Sequence, residues 1–169
     1  LMFRCFTCRW MLVVVSSCNS GSCESTITGN FKKAPWVVAV AGGDKNGNLA
    51  DFSSRGVAGK GDVVTIDGET FEWKDRPTIT APGVDVISAR SSTRYSNALS
   101  LSSDADSMDT NDVPFYTVKS GTSMAAPHVS GIVALMLEAN PNLGWREVKQ
   151  ILQDTATNMP GRAPWEVGG

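Results

Sequence analysis

An α/β fold with a mainly parallel sheet follows from three features of this 169-residue chain. Leu12 to Val15 and Trp36 to Val40 are short, continuous apolar runs, as in strands covered on both faces. Ile132 to Leu137 lies in a longer apolar segment that follows a Gly/Ser turn and reads as a buried helix. Strand-like segments followed by helix-like ones place helices on the faces of a parallel sheet.

The elements follow in order. Leu1 to Trp10 is an atypical segment read as lying outside the fold, which occupies residues 11–169. Leu12 to Val15 is a strand running into the turn Ser16-Ser17-Cys18-Asn19-Ser20-Gly21. Arg9 to Cys18 also has the look of a lipoprotein signal, but its apolar stretch is shorter than the usual 7–15 or so residues. Val63 to Trp73 is a hairpin turning at Asp67-Gly68, read as a surface decoration. Ser88 to Asp112 is rich in Ser and Asp without a period, and reads as a long surface loop. Asp104, Asp106 and Asp109 within it do not make an EF-hand, because Met108 takes the third ligand position, so they read as solvated. Phe115 to Val118 is a short strand leading to Ser123. Thr122 is expected to cap the next helix, which ends near Asn140-Pro141. A last helix is expected from Trp145 to Asp154, with Gly144 and Glu147 at its start.

Composition narrows the function classes. Net charge is −2, 41% of residues are hydrophobic and 19% charged, as in a chain that buries a core. There is no Lys/Arg block, which argues against nucleic acid, and no apolar run approaches the roughly 20 residues of a membrane span. Cys5, Cys8, Cys18 and Cys23 all fall near the start. A zinc site, a disulfide and incidental thiols are all open; the position of Cys18 on the strand leading to Asn19 favours the last.

Chemistry concentrates at Ser123. A serine at a helix N-terminus sits beside backbone N–H groups that have no helical acceptor, at the positive end of the helix dipole. Those donors suit an oxygen that becomes negative during reaction. Pro127 cannot donate to the Ser123 carbonyl, so it is expected within the first helical turn.

Gly121-Thr122-Ser123-Met124-Ala125-Ala126-Pro127-His128-Val129-Ser130-Gly131 resembles the nucleophile segment of the subtilisin-like serine proteases. Val13 to Gly21, Pro35 to Val40, Asp51 to Gly56, Ala81 to Val86 and Asn140 to Leu143 resemble further segments of that family, in the family's order. The resemblance implies a partial subtilisin-like three-layer sandwich with a mainly parallel sheet, truncated at the N-terminal side. It implies a serine endopeptidase acting on proteins or peptides, outside the cell, with the rest of the domain as its missing N-terminal half. Ser123 would be the nucleophile, and Asn19 the side-chain donor of the oxyanion hole. Ser16 and Ser17 would line the rim of the specificity pocket. Cys18 departs from the family's glycine, which puts that turn in question. No cofactor is identifiable; calcium accompanies the family, but its ligands are not matched here.

The family's D-T-G and H-G-T segments, which carry the acid and base, do not occur in these residues. The one histidine, His128, lies five residues after Ser123, about 140° round a helix from it, and reads as structural. The chain alone is therefore expected to be inactive. A non-catalytic, protease-like binding or regulatory module is the alternative.

Overall fold

The computed structural model describes residues 11–91 and 104–169. The atypical segment 1–10, with Cys5 and Cys8, and the middle of the Ser88–Asp112 stretch lie outside the described residues.

Strands β1 (Val13–Ser16), β2 (Val37–Gly43) and β5 (Ile79–Pro82) form a parallel sheet in the order β1-β2-β5. Val13 lies opposite Val37, and Val40 opposite Ile79. Every residue of β2 is buried, as its apolar run predicts. Successive side chains of a strand point to opposite faces. Val38 and Val40 pack with Ala125, Val129 and Val133 of helix α1 (Thr122–Ala139) and with Val148 and Leu152 of α2 (Trp145–Thr155). Val37 packs with Trp36 and Phe71, and Ala41 with Leu49 and Val167. Burying each such valine contributes on the order of 1.5–3 kcal/mol, so this strand anchors both faces of the fold.

Strand β1 departs from expectation. All four of its residues are only partly buried, because β2 is its one neighbour among the described residues. The hairpin β3 (Gly61–Ile66) to β4 (Glu69–Lys74) turns at Asp67-Gly68, with φ of 51° and 80°. Both positive values are what a tight hairpin turn of this kind requires. It is more than a surface decoration. Phe71 is 5% exposed, meets Trp36 edge-on at 5.5 Å and stacks on Trp145 at 6.3 Å. The hairpin is thereby anchored to the sheet by an aromatic cluster.

Strands β6 (Val86–Ala89) and β7 (Tyr116–Lys119) pair antiparallel, so Ser88 and Ala89 belong to a strand and not to the expected loop. Asp104 is likewise not solvated. It is 1% exposed, accepts from the Val118 N–H at 3.0 Å and the Thr117 hydroxyl at 2.9 Å, and pairs with the Arg90 guanidinium. The Val118 amide, then Thr117 and Arg90, hold its carboxyl below the ordinary aspartate range against the opposing effect of burial.

Helix α1 is not buried all round, as its apolar content had suggested. Thr122, Ala125, Val129 and Val133 face inward, while Ile132 and Leu135 are 47% and 66% exposed. Pro127 lies in the second turn, beyond the expected first, and supplies no N–H to the Ser123 carbonyl. Helix α2 begins where predicted, with Glu147 Oε2 accepting the Gly144 N–H at 2.8 Å. A one-turn helix, α3 (Pro164–Val167), follows; its Glu166 meets Arg55 and Arg162, each at 3.1 Å.

Candidate active site

Ser123 is the second residue of α1, and β7 leads to it through Ser120 and Gly121. The Gly121 N–H donates to the Gly83 carbonyl at 2.7 Å, and the Gly83 N–H to the Gly43 carbonyl at 2.8 Å. The start of α1 is thus tied to the carboxyl end of β2. A Cβ on Gly83 would stand 2.8 Å from the Gly121 carbonyl oxygen, so this approach requires glycine.

Thr122 does not cap the helix. Gly121 takes the N-cap position without a side-chain bond, and Thr122 is the first helical residue, fully buried. Its N–H and its hydroxyl both donate to Asn19 Oδ1, each at 2.8 Å. A backbone N–H only donates, so the amide orientation is fixed by chemistry: Oδ1 faces Thr122 and Nδ2 faces away. Nδ2 lies against Gly121, where an added Cβ would come within 3.3 Å of it.

The first-turn donors can now be assigned. The Thr122 N–H goes to Asn19, and the Met124 N–H to the Gly121 carbonyl at 2.9 Å. The Ser123 N–H and the Asn19 Nδ2 hydrogens have no acceptor among the described residues. Ser123 itself is exposed. Unclaimed donors at the positive end of an 18-residue helix suit developing negative charge on an oxygen.

The loop carrying Asn19 is held by the turn after β2. The Ser54 N–H donates to the Cys18 carbonyl, the Ser20 N–H to Ser54 Oγ, and the Gly21 N–H to the Phe52 carbonyl, each at 3.0 Å. Ser53 Oγ accepts the Gly42 N–H at 3.0 Å. Ser53 and Ser54 are both fully buried. They position the site, a role that sequence reasoning missed; the one signal was their place in the turn at Asp51 to Gly56. Ser17, expected on a pocket rim, is fully enclosed beside the Ser54 carbonyl, which removes its side chain from any open wall. Ser16 ends β1 and is partly buried.

Cys18 has φ of 97°, a conformation natural to glycine. Its Sγ lies 2.7 Å from Lys32 Nζ and 3.0 Å from Thr28 Oγ1. Burial pushes the thiol pKa up, but the Lys32 ammonium and the Thr28 contacts outweigh it and hold the thiol below its ordinary value. Cys18 and Cys23 are both free thiols. His128 Nδ1 is 2.8 Å from the Met124 carbonyl oxygen, which ties the ring to its own helix.

The sequence model of the Subtilase family matches residues 7–166. The chain belongs to the subtilase family. It is 35% identical over 150 residues to the serine protease AprX of Bacillus subtilis, covering 85% of this chain and 30% of that protein. Subtilisin DY of Bacillus licheniformis is 35% identical over 150 residues, covering 88% of this chain and 40% of that protein. Among solved structures, Sphericase superposes with a TM-score of 0.58 at 31% identity, covering 89% of this chain and 41% of that one. The chain thus spans less than half the length of these relatives. Its fold is a partial subtilisin-like α/β domain on a parallel sheet.

Among the described residues no three His, Cys, Asp or Glu side chains converge to hold a metal ion. Asp44 accepts from Asn46 and Asn48, and Asp104 pairs with Arg90. No described helix is long and apolar enough to cross a membrane.

Proposed function

We propose that this chain is the carboxyl-terminal part of a serine endopeptidase catalytic domain, acting on proteins or peptides outside the cell. The reading is carried by one observation: the unclaimed donors of Asn19 Nδ2 and the Ser123 N–H beside an exposed serine at a helix start. Ser123 Oγ attacks the scissile carbonyl and forms an acyl-enzyme. Asn19 and the Ser123 N–H hold the oxyanion as it forms. The proton leaves to a base that this stretch does not contain, since His128 is its one histidine and is bonded to the Met124 carbonyl. The base and its orienting carboxylate come from the missing N-terminal half. The chain alone does not turn over peptides.

The test is labelling with a serine-directed fluorophosphonate in the complete protein. Stoichiometric modification at Ser123, abolished by Ser123→Ala, is the expected result. A folded complete protein that takes up no label would overturn the endopeptidase reading and leave a binding or regulatory module.

A further inference from the structure

A second cleft lies away from Ser123, between the 3-10 turn Asn30–Lys33, β4 and α2, with a volume of about 520 Å³. That is the size of a small-molecule site. Its walls are unbalanced in charge. Lys32 and Lys33 come from the turn, Lys74 and Arg76 from β4 and the residues after it, and Arg146 and Lys149 from α2. Among the described residues, Glu72 and Asp154 supply the only carboxylate side chains lining it.

Four of the six cations have partners. Lys33 pairs with Asp75 at 2.8 Å, Lys74 with Glu72 at 3.1 Å and Arg146 with Glu69 at 3.6 Å, while Lys32 meets the Cys18 thiol. Arg76 and Lys149 have no carboxylate partner among the described residues. Arg76 makes one long contact, to the Gly169 carbonyl at 3.5 Å. Lys149 donates to the carbonyls of Pro35 and Val37 at 2.9 and 3.0 Å, which leaves one of its three N–H donors unclaimed.

We propose that this cleft binds a small dianionic oxyanion of the phosphate class, held by Arg76 and Lys149 in a cleft walled by Trp73 and Trp145. Two uncompensated cations match two negative charges, and an arginine fork beside a lysine point charge is well suited to phosphate oxygens. Burial, and then the charge of Arg76, push the Lys149 pKa down to about 8, which agrees with two cations facing one another across the cleft. The cleft exceeds a bare phosphate in size, which leaves room for a substituent carried on the phosphate.

The test is isothermal titration of the chain with inorganic phosphate and with phenyl phosphate, at constant ionic strength. Saturable one-to-one binding is expected, weakened roughly tenfold by Arg76→Gln, the loss of one charge-assisted contact. Binding should fade as pH rises through about 8, where Lys149 loses its proton. Tighter binding of phenyl phosphate would mark a ring-bearing phosphate ester, and equal binding the free ion. Lys149 also ties α2 to the sheet, so Arg76→Gln is the deciding variant. No saturable heat with either probe, or unchanged affinity in Arg76→Gln, would overturn the proposal. Ser123→Ala should bind as the parent chain does, so the outcome is independent of the peptidase reading.

Discussion

Asn19 and Thr122, 103 positions apart, share two hydrogen bonds of 2.8 Å on one amide oxygen. The contact joins the loop after β1 to the first residue of α1, and it also points the Asn19 NH₂ group away from Thr122. Orientation and stability therefore depend on the same atom.

Asn19→Ala strands two buried donors of Thr122, and should cost about 1–3 kcal/mol in urea denaturation. Asn19→Asp keeps an acceptor facing Thr122 and should retain most of that stability. On the peptidase reading proposed above, both variants of the complete protein should lose roughly 10²–10³ in kcat, the loss known for subtilisin's own oxyanion asparagine. An Asp variant of full activity would remove Asn19 from the chemistry.

Phe71 links the hairpin to Trp36 and Trp145. Phe71→Ala should destabilise the chain by about 3–5 kcal/mol, whereas Val63→Thr on the exposed side of the same hairpin should stay within about 0.5 kcal/mol. Equal midpoints for the two variants in denaturant would show that the hairpin is not part of the core.

Cys18 occupies a glycine-like conformation while its thiol faces Lys32. Cys18→Gly should raise stability by about 1 kcal/mol, by removing the strain of a side chain at positive φ. At neutral pH the thiol should react with iodoacetamide faster than an ordinary cysteine, and Lys32→Met should slow it. The sign of the linkage follows: a thiol held below its ordinary value stabilises the fold above that ordinary value, and this contribution is lost as pH falls through the folded pKa.

The Asp104 carboxyl is held below its ordinary range, first by the Val118 amide. Its contribution is complete above the ordinary aspartate pKa and disappears as pH falls through the lower folded value. Asp104→Asn should therefore melt below the parent chain at neutral pH, and the gap in Tm should narrow in acid. A gap independent of pH would mean that Asp104 acts through shape alone.

The site and the sheet were legible in the sequence to different depths. The run Trp36 to Val40 predicts β2 because a strand buried on both faces needs apolar residues at every position. Asp67-Gly68 predicts the hairpin because few residues tolerate two positive φ angles in succession. The burial of Phe71 was hidden, since it depends on Trp36 and Trp145, far away in the chain. Asp104 was hidden for a similar reason: an aspartate among serines reads as solvated until Arg90 and β7 are folded around it. The outer face of α1 misled in the opposite direction. Ile132 and Leu135 have a core composition, but no described element covers them. Ser123 at a helix start was legible from the Gly/Ser turn, whereas the support given by Ser53 and Ser54 needed the turn in three dimensions.

The separation of Asn19 from Thr122 also sets an order of events during synthesis. A ribosome releases the amino-terminal end first, so the loop after β1 leaves the tunnel long before α1 exists. Until then nothing turns the Asn19 amide, and the serine that it would serve has not been made. A nascent chain holding only the three-stranded sheet is chemically silent. The candidate site is completed only when the start of α1 emerges, after all three strands of that sheet.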